Sequence, residues 1–198
     1  MPLPPAHRLL RSWATLLVAI AALGIFLLPQ SSGALRYERA GLVSGQLWRL
    51  WTGHLVHFGW RHLAADLAVF LGAGLWLEAF APRTIRGFLA LAPAAISGLL
   101  FVADPQLTFY GGLSGLAVGV LVLLALVQLR RDRAAPRWFW PAVLALVVLK
   151  VALEAFSTAP LLAGFGPDIK VSTLAHLGGI ACALLAWPFA RVEQAAVG

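Results

Sequence analysis

GGLSG at 111–115 runs into LAVGVLVLLALVQL at 116–129 and closes on Arg130-Arg131. Between Ser114 and Arg130 the only other strongly polar side chain is Gln128. No face of such a segment suits water, and about 17–20 apolar residues in a helix cross a hydrocarbon core of ~30 Å. The stretch reads as a membrane-spanning helix with small residues and one hydroxyl at its mouth and a basic exit. The whole chain agrees: 61% of its 198 residues are hydrophobic and 12% charged, with mean hydropathy +0.86. Soluble domains carry nearer ~45–50% apolar residues. An all-α integral membrane protein follows, read as a single membrane domain over 1–198.

Six spans are predicted, at 13–29, 62–80, 84–102, 114–130, 138–157 and 173–190, with a long first loop at 30–61. Turn signals separate them: Pro29 to Gly33, Ala81-Pro82-Arg83, Asp104-Pro105, Pro136, and Gly164 to Pro167. The net charge of +7 is not gathered into a stripe that would mark nucleic-acid binding, so that partner class is excluded. Instead, basic residues flank the apolar runs. With six spans, Arg8, Arg11, Arg83, Arg86, Arg130, Arg131, Arg133, Arg137 and Arg191 all fall on one side, which the positive-inside rule makes cytoplasmic together with both termini. Arg36, Arg39, Arg49, Arg61 and Lys170 fall on the other, mostly in the long loop where the bias counts less. The first run, with Ser32-Gly33-Ala34 behind it, has the outline of a secretory signal, but a retained anchor fits the charge count better. Trp48, Trp51 and Trp60 predict that the first loop lies partly at the outer headgroup level.

Under this topology the second, fourth and sixth helices run in the same direction. At 1.5 Å per residue, His62, Ser114 and His176 then share one depth, just below the outer surface. A serine hydroxyl needs a base to become a nucleophile, and a neutral imidazole is the usual base near pH 7. Ser114 and His176 form such a candidate dyad. The Ser114 backbone N–H, Gly112 and the His62 side chain are candidates to support an oxyanion. Gly111, Gly112, Gly115, Gly178 and Gly179 are read as allowing the fourth and sixth helices to touch. Asp66, one turn after His62, shares its helix face and is a supporting candidate, to orient His62, to donate to the oxyanion if protonated, or to bond a neighbouring helix. Lys150 and Glu154 form an i,i+4 pair at similar depth, either neutralising each other or forming a polar wall for substrate. Glu78 reads as a snorkelling or interface charge at the cytoplasmic end, and His54 and His57 as hydrogen-bonded loop scaffold. The spacing of His54, His57 and His62 lacks the helical i,i+4 pattern of a zinc site, and the lone Cys182 gives no thiolate cluster, so no metal or cofactor is expected.

These residues resemble the rhomboid family of intramembrane serine proteases. The resemblance rests on Leu47-Trp48-Arg49, His57-Phe58, His62-x-x-x-Asp66, Gly112-Leu113-Ser114-Gly115 and Ala175-His176-x-x-Gly179. It implies a six-helix rhomboid-like bundle, Ser114 as nucleophile, His176 as general base, His62 assisting the oxyanion and a first loop that braces the fold. Rhomboids commonly carry Asn where this chain has Asp66, and many carry an aromatic at the position of Val118. The short six-helix core, the run Glu38…Gly45-Gln46-x-Trp48-Arg49 and the Lys150/Glu154 pair are similar to the rhombosortase branch. That branch implies a bacterial inner membrane, an active site toward the periplasm, and exported substrates with a C-terminal Gly-Gly, apolar, basic tail. Two other classes keep the same residues: a proton-coupled transporter built on His62, Asp66, His176 and the Lys150/Glu154 pair, and an inactive rhomboid relative that binds membrane clients.

Overall fold

The computed structural model describes residues 12–28, 32–131, 135–156 and 172–192. Among these residues six longer helices make a bundle: α1 (Trp13–Leu27), α2 (Trp60–Phe80), α3 (Pro82–Ala103), α4 (Ser114–Arg131), α5 (Phe139–Phe156) and α6 (Thr173–Ala186), the last continued by a 3-10 turn, Trp187–Phe189. Their bounds fall within a few residues of the sequence reading. Helices α2 to α5 are long and apolar enough to cross a membrane, whereas α1 and α6 have 15 and 14 residues. Pro82 opens α3 at its first turn, where the missing N–H has no intrahelical partner to lose. Arg8, Arg11, Arg133, Lys170 and the Gly164 to Pro167 turn lie outside the described residues.

The bundle is built around α4, which packs against α2, α6, α5 and α3. Of its span, 72% is buried, against 17% for α5, so α4 is the axis and α5 a peripheral helix facing outward with Leu146, Val148, Leu149 and Phe156. The contact between α4 and α6 is backbone against backbone. A Cβ on Gly119 would lie 2.7 Å from the Gly179 carbonyl oxygen, one on Gly115 would lie 2.9 Å from that of Ala175, and one on Gly179 would strike that of Gly115. Small residues permit such approach where lipid gives helices no hydrophobic reason to associate. The other glycines expected at this seam serve elsewhere: Gly111 packs on Val56 and Phe58, Gly112 on His62, and Gly178 on Ile96 and Leu99 of α3.

The first loop is folded rather than trailing. It contains short helices Arg39–Val43 and Arg49–Thr52, and a two-residue strand β1 (Tyr37–Glu38). β1 pairs antiparallel with β2 (Phe109–Tyr110), just ahead of α4, with Tyr37 opposite Tyr110 and Glu38 opposite Phe109. Arg49, buried, holds the loop: its guanidinium donates to Gln46 Oε1 at 2.6 Å, to the Arg36 carbonyl at 2.7 Å and to the Gly33 carbonyl at 2.9 Å, with Glu38 Oε2 at 3.5 Å. A fixed fork of donors suits a site with several carbonyls. The loop docks on α3 through Trp51 Nε1, which donates to the Ala90 carbonyl at 2.8 Å, and through His54 Nε2, 3.0 Å from the Pro93 carbonyl and 3.1 Å from Ser97 Oγ. His54 is scaffold, as read from the sequence. Complete burial pushes its pKa down to about 4, since a charged imidazole would be desolvated there.

Glu78 is not a snorkelling charge. It is 1% exposed and sits at the start of α1, where its carboxylate accepts from the backbone N–H of Ala14 at 3.2 Å and of Thr15 at 2.9 Å. The Thr15 hydroxyl donates to it at 2.9 Å and Arg86 Nε at 3.0 Å. The orphan N–H groups and positive dipole end of α1 supply what the buried carboxylate needs. Residue 78 thereby pins α1 to α2 and α3.

Candidate active site

Ser114 is the first residue of α4 and is partly exposed, with both neighbours buried. The approach to it is fixed from behind. The Tyr110 hydroxyl donates to the Gly112 carbonyl at 3.0 Å, Gly112 N–H reaches the Gly53 carbonyl at 3.4 Å, and Leu113 N–H donates to His57 Nε2 at 3.3 Å. Gly112 has φ +128, a left-handed conformation open to glycine, and its Cβ position is 2.6 Å from His62 Nε2. Any side chain at 112 would therefore displace the imidazole as well as strain the turn. Tyr110 also interacts with the Ser114 side chain and the Gly115 backbone, and burial pushes its hydroxyl pKa up, so it stays a neutral donor.

His176 lies one turn into α6 and is fully buried. Ser172 caps that helix, its hydroxyl accepting from Ala175 N–H at 3.2 Å. The seam described above joins the two candidate residues: Gly115 follows Ser114, Ala175 precedes His176, and these two neighbours are in backbone contact. His176 Nδ1 stands 3.0 Å from Glu154 Oε2, and Glu154 Oε1 is 2.7 Å from Lys150 Nζ. The imidazole and that carboxylate oxygen are close enough for an ion pair but are not aligned as a hydrogen bond. His176 Nε2 has no hydrogen-bond partner among the described residues.

A second cluster flanks the serine. His57 Nε2 and His62 Nε2 each lie 3.2 Å from Asp66 Oδ2. The Leu55 carbonyl, 3.1 Å from His57 Nδ1, fixes a proton on that nitrogen and leaves Nε2 to accept from Leu113. Nε2 has a single in-plane lone pair, so the 3.2 Å approach of Asp66 Oδ2 lies beside the Leu113 bond and becomes a hydrogen bond only when the ring carries a proton on both nitrogens. His62, whose ring stacks near Phe58, donates toward the same oxygen. The Leu113 N–H is thus directed at His57, while His62 Nε2 is turned to Asp66.

Among the described residues, His57, His62 and Asp66 are the group whose side chains could jointly hold a metal ion, their ligand atoms lying within 4.8 Å of one another. The fit is poor. Leu113 N–H occupies the His57 lone pair that a cation would need, and one carboxylate oxygen already serves both rings. The cluster reads as a hydrogen-bonded brace.

The structure thus gathers Ser114, Gly112, His62 and Asp66 at the mouth of α4, and His176, Glu154 and Lys150 on the side of α6 and α5. His57, taken from the sequence as loop scaffold, belongs to the first group. Tyr110 joins it as well, and its place two residues before Gly112 is the only local signal of that role in the sequence. No curated protein matches the chain. A model of the rhomboid domain matches residues 44–192, from within the first loop through α6. The chain belongs to the rhomboid family, a family of intramembrane serine proteases acting on membrane proteins within the lipid bilayer.

Proposed function

We propose that this chain is an intramembrane endopeptidase with Ser114 as nucleophile and His176 as general base. The observation that carries the reading is the glycine seam, which brings the residues next to Ser114 and His176 into backbone contact. In the proposed reaction Ser114 Oγ attacks a peptide carbonyl and its proton passes to His176 Nε2. The oxyanion is met by the Ser114 N–H and by His62, which Asp66 and Gly112 hold in place. His176 then protonates the leaving amine, and water hydrolyses the acyl-enzyme with the same imidazole as base. The chemistry needs no metal or cofactor.

The substrates are exported proteins bearing a Gly-Gly, apolar, basic C-terminal tail, as in the rhombosortase branch. The setting is a bacterial inner membrane, with both termini cytoplasmic and the site facing the periplasm. A helix shields its own carbonyls, and Gly-Gly lowers the cost of unwinding the tail at the scissile bond. The test is co-expression of a tagged passenger carrying such a tail, and of a second passenger with a generic transmembrane segment, beside wild type, Ser114→Ala or His176→Ala. Cleavage of the first passenger by wild type alone supports the full reading. Cleavage of only the generic passenger keeps the protease and removes the sorting tail. Cleavage that survives Ser114→Ala overturns the mechanism, and no cleavage by well-folded wild type favours the client-binding or transport classes.

A further inference from the structure

We propose that Glu154 is the positioning carboxylate of this site, completing a Ser114–His176–Glu154 relay; the inference rests on the serine–histidine reading above. α5 is peripheral, and its few buried side chains include Trp140, Val147 and Val151. Glu154 follows Val147 and Val151 at helical spacing, so it lies on that inward stripe, with its side chain 6% exposed. A Glu whose only task was to neutralise Lys150 would be satisfied by the 2.7 Å contact of Oε1 alone and could turn outward with the lysine, which is 33% exposed. Instead Oε2 points inward and stands 3.0 Å from Nδ1 of a fully buried imidazole. His176 Nδ1 and Nε2 have no hydrogen-bond partner among the described residues, and among those residues Glu154 is the acidic group in ion-pair range of the ring.

The chemistry is that of a tautomer lock. A carboxylate at Nδ1 keeps the proton there, leaving the Nε2 lone pair free to take the Ser114 proton, and it stabilises the imidazolium formed in that step. Lys150 holds Oε1 and keeps the carboxylate from rotating away. Neither Glu154 nor Lys150 touches the reacting atoms, so their effect falls on turnover.

The experiment uses the full chain in detergent with the passenger that wild type cleaves, together with the rate at which a fluorophosphonate probe labels the serine. Glu154→Gln is expected to lower kcat by about 10²–10⁴-fold, the usual worth of a positioned acid–base system. KM should stay within about threefold, labelling should slow in parallel, and Glu154→Asp should restore part of the rate. Lys150→Gln is expected to lose no more than about tenfold. Thermal midpoints are measured on every variant, and if Glu154→Gln does not fold, Glu154→Asp and Lys150→Gln decide. Wild-type kcat in Glu154→Gln, a change confined to KM, or an equal loss in Lys150→Gln and Glu154→Gln overturns the proposal while leaving the protease intact. Labelling or cleavage that persists in Ser114→Ala instead removes the serine reading on which it rests.

Discussion

The glycine seam between α4 and α6 yields a graded perturbation. An ordinary Cβ contact begins at 3.4 Å. A methyl on Gly115 falls short of that by about 0.5 Å against the Ala175 carbonyl, since its Cβ would lie at 2.9 Å. One on Gly119 falls short by about 0.7 Å against both the Gly179 carbonyl and Phe88 Cζ, at 2.7 Å each. Gly179→Ala is the most severe, because its Cβ meets the Gly115 carbonyl head-on. The obstacles are mostly backbone, so the helices must separate; overpacking of this kind costs typically 1–3 kcal/mol. Activity should suffer more than stability. Misplacement by about 1 Å is worth ~10²-fold in rate, and the displacement falls between the serine helix and the histidine helix. Expected kcat losses are about tenfold for Gly115→Ala, more for Gly119→Ala and at least ~10²-fold for Gly179→Ala. Gly72→Ala and Gly98→Ala, whose Cβ atoms would meet nothing within 4 Å, serve as controls; they should be active and slightly stabilised by removal of a flexible residue from a helix. The assay is passenger cleavage in detergent with thermal unfolding of each variant. Full turnover by a folded Gly179→Ala would refute the claim that this seam sets the distance between the two catalytic candidates.

Three further outcomes are expected. Glu78→Ala should strongly lower the thermal midpoint, by several kcal/mol in stability, because it strands the buried N–H groups of Ala14 and Thr15 and removes the ion pair with Arg86; an unchanged unfolding curve would contradict the cap. His54, neutral in the fold with a pKa near 4 against 6.5 when exposed, contributes stability present above about pH 6.5 and lost as pH falls through the window down to 4. The loss is on the order of 3 kcal/mol, and unfolding midpoints measured from pH 7.5 to 4 should flatten in His54→Gln. Asp66→Asn keeps an acceptor for His62 and adds an amide donor, so cleavage should stay within about tenfold of wild type, whereas Asp66→Ala, which frees both His57 and His62, should lose ~10²-fold or more; equal rates in the two variants would show that the brace is dispensable.

What the sequence made legible was position along the helix axes. Apolar run length and flanking arginines set where each span starts and stops, because lipid penalises any polar backbone left unpaired. The bounds of α2 to α6 follow from this to within a few residues, and a common depth for Ser114, His62 and His176 follows from the six-span topology. Rotation about those axes is a different coordinate. It is fixed by side-chain packing among helices far apart in the chain, and an all-apolar run such as α4 carries no period to reveal it. The misplaced features are all of this kind. Gly178 and Gly179 are adjacent in α6, yet one faces α3 and the other α4. Glu78 lay at the predicted end of its helix, but its partners Ala14 and Thr15 are more than 60 residues away. Glu154 could be put at the depth of His176 from its number alone; that it faces the imidazole depends on α5 turning Val147 and Val151 inward with it. In a bundle of this type, therefore, a polar residue that shares the depth of a nucleophile is a candidate, and the azimuth of its helix decides whether it takes part.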